Sequence, residues 1–398
     1  MTGLRRPLGA GAVVAIVLAA LNLRPAVVAI SPLLGDIRAD EDLSATAAGV
    51  LTTLPVLCFG LLAPVAPVLA RRWGLERALL ASLVALCAGF ALRLVPGVWA
   101  LFAGTVVAGC AIGLGNVLLP ALIKRDFADR IGLMTGLYSM ALSGGAALAA
   151  GLTLPVAAAA GLDWRGALAS WGVLAVVGAL VWVPRALRPD PGGASAFGGL
   201  PGASPAGARS AVWRSPLAWA VTVVMGMQSL SFYAVNAWLP EIMVGLGRTP
   251  EAGGWLLALC NLAGILGSFV TPVLAGRMPR QRGIGVVLVT LVGTGLLGLA
   301  LAPGAAAAWV VLVGLGQGGG ISLALTLMAL RARDAAHTSE LSGMAQSAGY
   351  LLAAGGPLGL GLAHDLTGAW LVPLLLLVAA AVVQGVAVWF AGRDAHVH

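Results

Sequence analysis

Long apolar segments recur from one end of this 398-residue chain to the other, at 8–34, 45–69, 78–95, 98–123, 132–158, 166–184, 215–240, 252–275, 283–302, 306–330, 341–363 and 369–391. About 20 apolar residues cross the hydrocarbon core of a bilayer as a helix, and helices satisfy their backbone N–H and C=O groups without water. The sequence therefore predicts an all-α membrane protein with twelve transmembrane helices. Hydrophobic residues make up 60% of the chain and charged residues 10%, against about 25% charged in a soluble domain. Little length remains for a soluble catalytic domain, and the 56 glycines suit close helix packing in lipid.

The formal net charge of +8 follows topology rather than a nucleic-acid partner. With the N-terminus placed in the cytoplasm, of the 23 Lys and Arg residues only Arg38, Arg93, Arg165 and Arg248 fall on the outer side. Arg24 lies within the membrane, and the rest are inside. This is the positive-inside pattern. It predicts an integral protein of the plasma (inner) membrane with both termini cytoplasmic, the lipid bilayer as its partner and no nucleic acid. Arg5 and Arg6 ahead of an apolar run superficially suggest a signal peptide, but the run's length and the eleven segments that follow favour a retained helix.

The least apolar stretch, crowded with Gly, Pro, Ala and Ser, separates the sixth and seventh segments. It reads as a cytoplasmic linker at 189–214 between a six-helix bundle at 1–188 and a second at 215–398. The halves share signals at nearly one offset. Pro67-Val68-Leu69-Ala70-Arg71-Arg72 pairs with Pro272-Val273-Leu274-Ala275-Gly276-Arg277, Arg125-Asp126 with Arg333-Asp334, and Pro32 with Pro240. Each pair occupies the same topological place, so one half is read as a repeat of the other. Two six-helix parallel repeats are the architecture of the major facilitator superfamily.

Particular residues carry the resemblance further. Arg72 and Gly74 match that superfamily's cytoplasmic loop signature, while Pro67, Arg71 and Leu75-Glu76 depart from it. Leu21-Asn22-Leu23-Arg24-Pro25-Ala26, with Ser31-Pro32-Leu33-Leu34, resembles the first helix of the cyanate transporter and 2-nitroimidazole exporter family. Gln228-Ser229-Leu230-Ser231-Phe232-Tyr233 and Ala237-Trp238-Leu239-Pro240 are similar to its seventh. The resemblance implies a major facilitator fold, transport of a small molecule by alternating access, and a central cavity lined by the first, fourth, seventh and tenth helices with help from the fifth and eleventh.

Read physically, Arg24 is the charge set deep within an apolar segment, 18 residues from Arg6 and 12 from Asp36. A cation near the bilayer centre costs at least about 2.5–3.5 kcal/mol, so a ligand, a partner or water must compensate it. Its planar fork of donors suits carboxylates, cyanate and nitro groups; the bland alternative is an Arg bonded to backbone carbonyls. Ser229, Tyr233, Asn236 and Pro240 share one helical face, and Ser342, Gln346 and Tyr350 form a similar stripe. Tyr138 stands at the repeat position of Gln346, and Phe232 at that of Arg24. The expected substrate-binding set is Arg24 with Asn22, Asn116, Tyr138, Gln228, Ser229, Tyr233, Asn236, Trp238, Gln317, Gln346 and Tyr350. Asn22 joins it only if Pro25 distorts the turn, and Trp238 fits an interfacial aromatic belt equally well. Simple interhelical hydrogen bonding is the competing reading of every polar residue here.

No Asp or Glu lies at mid-membrane, which leaves coupling to a proton or another ion, exchange and uniport all open. The four cysteines fall inside apolar segments without paired spacing and imply neither disulfide nor metal. The clusters Gly113-Leu114-Gly115 and Gly318-Gly319-Gly320 lack the Lys-Ser/Thr of a phosphate loop. No cofactor and no nucleophile–base set emerges, so an enzyme is not expected. The competing functions are an exporter of neutral lipophilic compounds and a non-transporting membrane receptor.

Overall fold

The computed structural model describes residues 10–62, 65–127, 131–187, 212–278, 280–333 and 335–397. Among these residues there is no strand, and twelve helical segments run antiparallel to their neighbours in sequence. The first six are α1 (Gly11–Asp40), α2 (Ala45–Leu62), α3 (Leu75–Leu92), α4 (Val98–Asp126), α5 (Ile131–Ala160) and α6 (Trp164–Ala186). The second six are α7 (Pro216–Gly245), α8 (Pro250–Gly276), α9 (Arg282–Leu301), α10 (Ala306–Arg331), α11 (Ala335–Thr367) and α12 (Leu371–Ala391). Eleven of the twelve are long and apolar enough to cross a membrane. The exception is α11, which has ample length at 33 residues but carries Ser342, Gln346, Ser347, His364 and Asp365. The linker expected at 189–214 lies outside the described residues as far as residue 211.

Local chemistry sets the ends. Asp163, Ser215 and Thr249 cap α6, α7 and α8, each accepting a hydrogen bond from the N–H three residues on, which satisfies donors a helix start leaves unpaired. A short helix, Ala66–Trp73, follows α2 and stops at Gly74, whose φ of 85° suits glycine.

The first helix departs from the expected uninterrupted segment ending at residue 34. It runs on to Asp40 and is broken twice: a turn at Asn22–Arg24 precedes the single helical turn Pro25–Val28, and a 3₁₀ turn over Ser31–Leu33 precedes its last stretch. Pro25 and Pro32 have no N–H for the carbonyls of Leu21 and Val28, so each interrupts the ladder. The freed Leu21 carbonyl faces α5, where a Cβ on Gly145 would lie 2.4 Å from its oxygen. Only glycine lets the two backbones come this close.

Both halves pair their helices alike. In the first, α1 packs on α5 and α6, α2 on α4, and α3 on α4 and α6; in the second, α7 packs on α11 and α12, α8 on α10, and α9 on α10 and α12. The halves meet through α2 against α11 and α5 against α8, contacts exchanged by the same pseudo-symmetry.

The end of the bundle away from the chain termini, here the distal end, is sealed between the halves. Ser31 donates to the Ala237 carbonyl at 2.7 Å and Thr53 to that of Ala354 at 3.1 Å. Arg38 pairs with Glu241, while Asp365 accepts from the N–H groups of Ala45 and Thr46 and from the Thr46 hydroxyl. Glycines make the fit close: a Cβ on Gly49 would lie 2.9 Å from the Pro357 oxygen, and one on Gly254 2.6 Å from that of Ala150. At the terminal end, Arg125 binds Glu76 and Asp126, and Arg185 binds Asp126, all within the first half. In the second half Gln281 stands 205 residues on from Glu76, and Arg331 binds it and the Ala391 carbonyl.

Candidate substrate cavity

Between the halves, on the terminal side of the seal, lies a cavity of about 330 Å³, within the range of small-molecule sites. Both halves line it: α1 contributes Arg24, α4 Asn116, α5 Tyr138, Ser139 and Ser143, α7 Gln228, Ser229, Phe232 and Tyr233, α8 Asn261 and Ser268, α10 Gln317 and Ser322, and α11 Gln346 and Tyr350. Its wall continues toward the terminal end through Pro120, Ile123 and Leu325.

Arg24 is the sole charged residue among those lining this cavity. The turn opened by Pro25 turns its side chain inward. One guanidinium nitrogen donates to the Tyr233 hydroxyl at 2.9 Å, and the guanidinium carbon sits 5.4 Å from the ring centre of Phe232 and 5.7 Å from that of Tyr233. Both rings offer the negative face of a π system to the cation. Phe232 is its repeat counterpart in the sequence, so the pseudo-symmetry axis brings the two equivalent positions together, a cation on one half and an aromatic ring on the other. The chain has three tyrosines, and all three line the cavity. Phe59 ties two of them, with ring centres 6.0 Å from both Tyr233 and Tyr350.

The amides form a second layer. Gln228 donates to the Gln317 carbonyl at 3.0 Å, Gln317 to Ser231 at 3.0 Å, and Ser229 to the Gln228 side-chain oxygen at 3.3 Å. Gln346 donates to Ser342 at 2.9 Å. Gln228 fits because residue 320 is glycine: a Cβ there would lie 2.9 Å from its Cγ. The Gly113–Gly115 and Gly318–Gly320 clusters serve close approach, most tightly where a Cβ on Gly318 would lie 1.8 Å from the Gly264 oxygen.

The structure thus brings Arg24, Asn116, Tyr138, Gln228, Ser229, Tyr233, Gln317, Gln346 and Tyr350 to one cavity. Three residues of the expected set lie elsewhere. Asn22 points to α6, donating to the carbonyls of Leu18 at 2.8 Å and Leu174 at 3.1 Å, and Gly178 makes room for it. The break at residues 22–24 rotates Arg24 inward but leaves Asn22 facing its own half. Asn236 lies just distal to the cavity, bridging the Phe232 carbonyl and Asn261. Trp238 is wholly buried in the seal, its indole N–H donating to the Pro357 carbonyl at 2.8 Å and its ring tilted against Trp370 at 5.3 Å between centres; it is not in an interfacial belt.

Asn261, Ser139, Ser143, Ser268 and Ser322 are lining residues missed from the sequence. Asn261 carried the same signal as Asn116, a lone amide in an apolar segment. The serines carried none, because a serine in a membrane helix readily bonds its own backbone. Arg93, expected at the outer surface, is completely buried and donates to the Ala26 carbonyl at 2.8 Å, just past the break in α1. Among the described residues no group of His, Cys, Asp and Glu could hold a metal ion.

Residues 11–357 match the family model described as Major Facilitator Superfamily. The chain belongs to the major facilitator superfamily. It is 38% identical over 379 residues to the 2-nitroimidazole transporter of Escherichia coli (strain K12), covering 95% of this chain and 94% of that one. It is 42% identical to an uncharacterized transporter of Bacillus subtilis (strain 168), over 96% of this chain and 93% of the relative. The cyanate transport protein of Escherichia coli (strain K12) is 30% identical over 69% of each. Among solved structures, a bacterial homolog of the human lysosomal transporter Spinster superposes with a TM-score of 0.75 at 14% identity (96% of this chain, 97% of that one). The D-xylose–proton symporter gives 0.73 at 14% (95% and 97%). Superfamily and relatives are transporters rather than enzymes, and this protein is an integral membrane transporter of a small molecule.

Proposed function

We propose that the protein carries a small anion or an acceptor-rich nitro or heterocyclic compound across the plasma membrane by alternating access, with Arg24 as the principal substrate ligand. The observation that carries this reading is the chemistry of the cavity: one cation, no carboxylate among its lining residues, and a surround of hydroxyl and amide groups. A guanidinium not neutralised by the protein attracts an anion or nitro group, which accepts two parallel N–H bonds from it. Tyr138, Tyr233 and Tyr350 supply flat faces for a planar substrate and hydroxyls at its edge. The substrates named for two of the relatives, 2-nitroimidazole and cyanate, are both small and rich in acceptors.

The distal seal and the terminal-side cavity fit a carrier state open toward the termini, with residues 1–188 and 215–398 as the two moving bodies. The charge bias of the loops supports a cytoplasmic location for both termini. Flux of cyanate and of 2-nitroimidazole into proteoliposomes tests the reading: wild type moves at least one of them, and Arg24→Ala abolishes that flux. An Arg24→Ala protein that still transports neutral lipophilic compounds and loses nothing for anions contradicts it.

A further inference from the structure

The distal seal holds a cluster of titratable groups that the substrate cavity does not use. Arg38, on α1, pairs with Glu241, on α7, and so ties one half to the other. Only one carboxylate oxygen of Glu241 is engaged; Oε2 is buried without a hydrogen-bond partner. The Nδ1 atom of His364, on α11, is buried and unpartnered as well. Within the second half, Trp370 connects the surroundings of the two side chains. Its ring centre lies 4.2 Å from that of His364 with the planes tilted by 32°, and its indole lies against Gly245, one helical turn from Glu241. The titratable groups that face Glu241 are Arg38, His364 and Asp365. From α2 the groups facing this cluster are neutral, the N–H of Ala45 and the N–H and hydroxyl of Thr46. Asp40 and Glu41 are taken by Arg165 inside the first half.

We propose that His364 is a proton-binding site that operates the distal seal: a proton taken at Nδ1 draws the Glu241 carboxylate from Arg38 in the other half to the imidazolium in its own, and the halves part at that end. The proton comes from water at the distal surface and returns there. An N–H bond forms on the imidazole, no bond between heavier atoms changes, and one positive charge is added to the second half. Before protonation the carboxylate has a single cationic partner across the interface. Afterwards it has a second one on its own half, and Arg38 is left with the Leu43 carbonyl, to which its Nε already donates at 3.3 Å. Histidine is the side chain suited to this role, because its charge changes between about pH 5 and 8.

Asp365 does not blur the response. Burial works to raise its pKa, but hydrogen bonds from Thr46 and Ala45 outweigh that and hold it below the ordinary carboxylate value. Its folded pKa being depressed, its contribution to the seal is present at neutral pH and is lost only as pH falls through that low value. Between pH 8 and 5.5 it stays ionised.

The test is a distance measurement across the distal end of the full-length protein in nanodiscs, with spin labels at Val95→Cys and Leu301→Cys and the native cysteines replaced by alanine. In this background the distal-open fraction rises as pH is lowered from 8 to 5.5, by about 5- to 30-fold for the loss of one partly buried pair. His364→Gln and His364→Asn stay closed over the whole range. Glu241→Gln is open to a pH-independent extent, which also shows that a variant lacking the pair still folds and reports. A parent protein with no pH response overturns the proposal. So does a response that survives in both His364 variants, which would assign the proton to Glu241 itself.

Discussion

Replacing Arg24 by methionine separates a substrate ligand from a structural cation, because the two roles predict opposite balances of stability and binding. In the unliganded protein the change removes one hydrogen bond from a charged group to Tyr233, worth about 1.5–3 kcal/mol. It also removes two cation–ring contacts at 5.4 and 5.7 Å, each about 0.5–1 kcal/mol. Against these stands relief from holding a cation at mid-membrane, at least about 2.5–3.5 kcal/mol. The terms nearly cancel, so the unliganded variant should unfold within about 2 kcal/mol of wild type, and the unbranched methionine keeps most of the packing. Ligand binding does not cancel. Loss of two charge-assisted bonds of about 1.5–3 kcal/mol each lowers affinity by at least about a hundredfold. Arg24→Lys retains the charge but not the fork, and losing one such bond costs about tenfold or more. The assay is thermal unfolding of purified protein titrated with cyanate or 2-nitroimidazole. At 100 times the dissociation constant wild type gains about 2.7 kcal/mol, a shift that Arg24→Met loses. A marked fall in unliganded stability with an undiminished ligand shift would make Arg24 structural and refute the reasoning.

Other outcomes follow from the packing. Gly254→Ala places a methyl 2.6 Å from the Ala150 oxygen across the α5–α8 contact; transport should slow severalfold by hindered distal closure, with ligand affinity retained, as flux and binding measured side by side will show. Gly318→Ala meets the Gly264 oxygen within one half, and such overpacking should destabilise the fold by about 1–3 kcal/mol or more in thermal unfolding, whatever the ligand. Asn22→Ala removes two hydrogen bonds to backbone carbonyls and should lower the unfolding temperature while leaving ligand affinity within about twofold, in contrast to every Arg24 variant.

The elements were legible because membrane spans are written in long apolar runs. The repeat was legible too, and it led to a contact, since Arg24 and Phe232 occupy equivalent positions and meet at the interface between halves. What a list of polar residues could not supply was the rotation of each helix about its own axis. Asn22 and Arg24 illustrate this: an ideal helix sets them about 200° apart, and the break before Pro25 aims only Arg24 at the cavity. Trp238 sits one turn from the cavity face of α7, near the expected interface, yet the halves close over it. Arg93 follows the last residue of α3 and looks like a loop cation; a Cβ on Gly104 would lie 2.8 Å from its Cγ, and that missing side chain is what admits it to the interior.

The lone cation of the cavity has an electrical consequence. With no carboxylate among the lining residues, the empty site is positive, and a bound monovalent anion neutralises it. In the alternating-access cycle proposed above, only the empty carrier then moves net charge as it reorients, and a membrane potential acts on that step with up to about 2.3 kcal/mol per 100 mV. The voltage would bias which side the vacant carrier faces and leave the loaded one indifferent. A voltage step applied to the substrate-free protein should accordingly produce a transient current that a saturating monovalent anion suppresses.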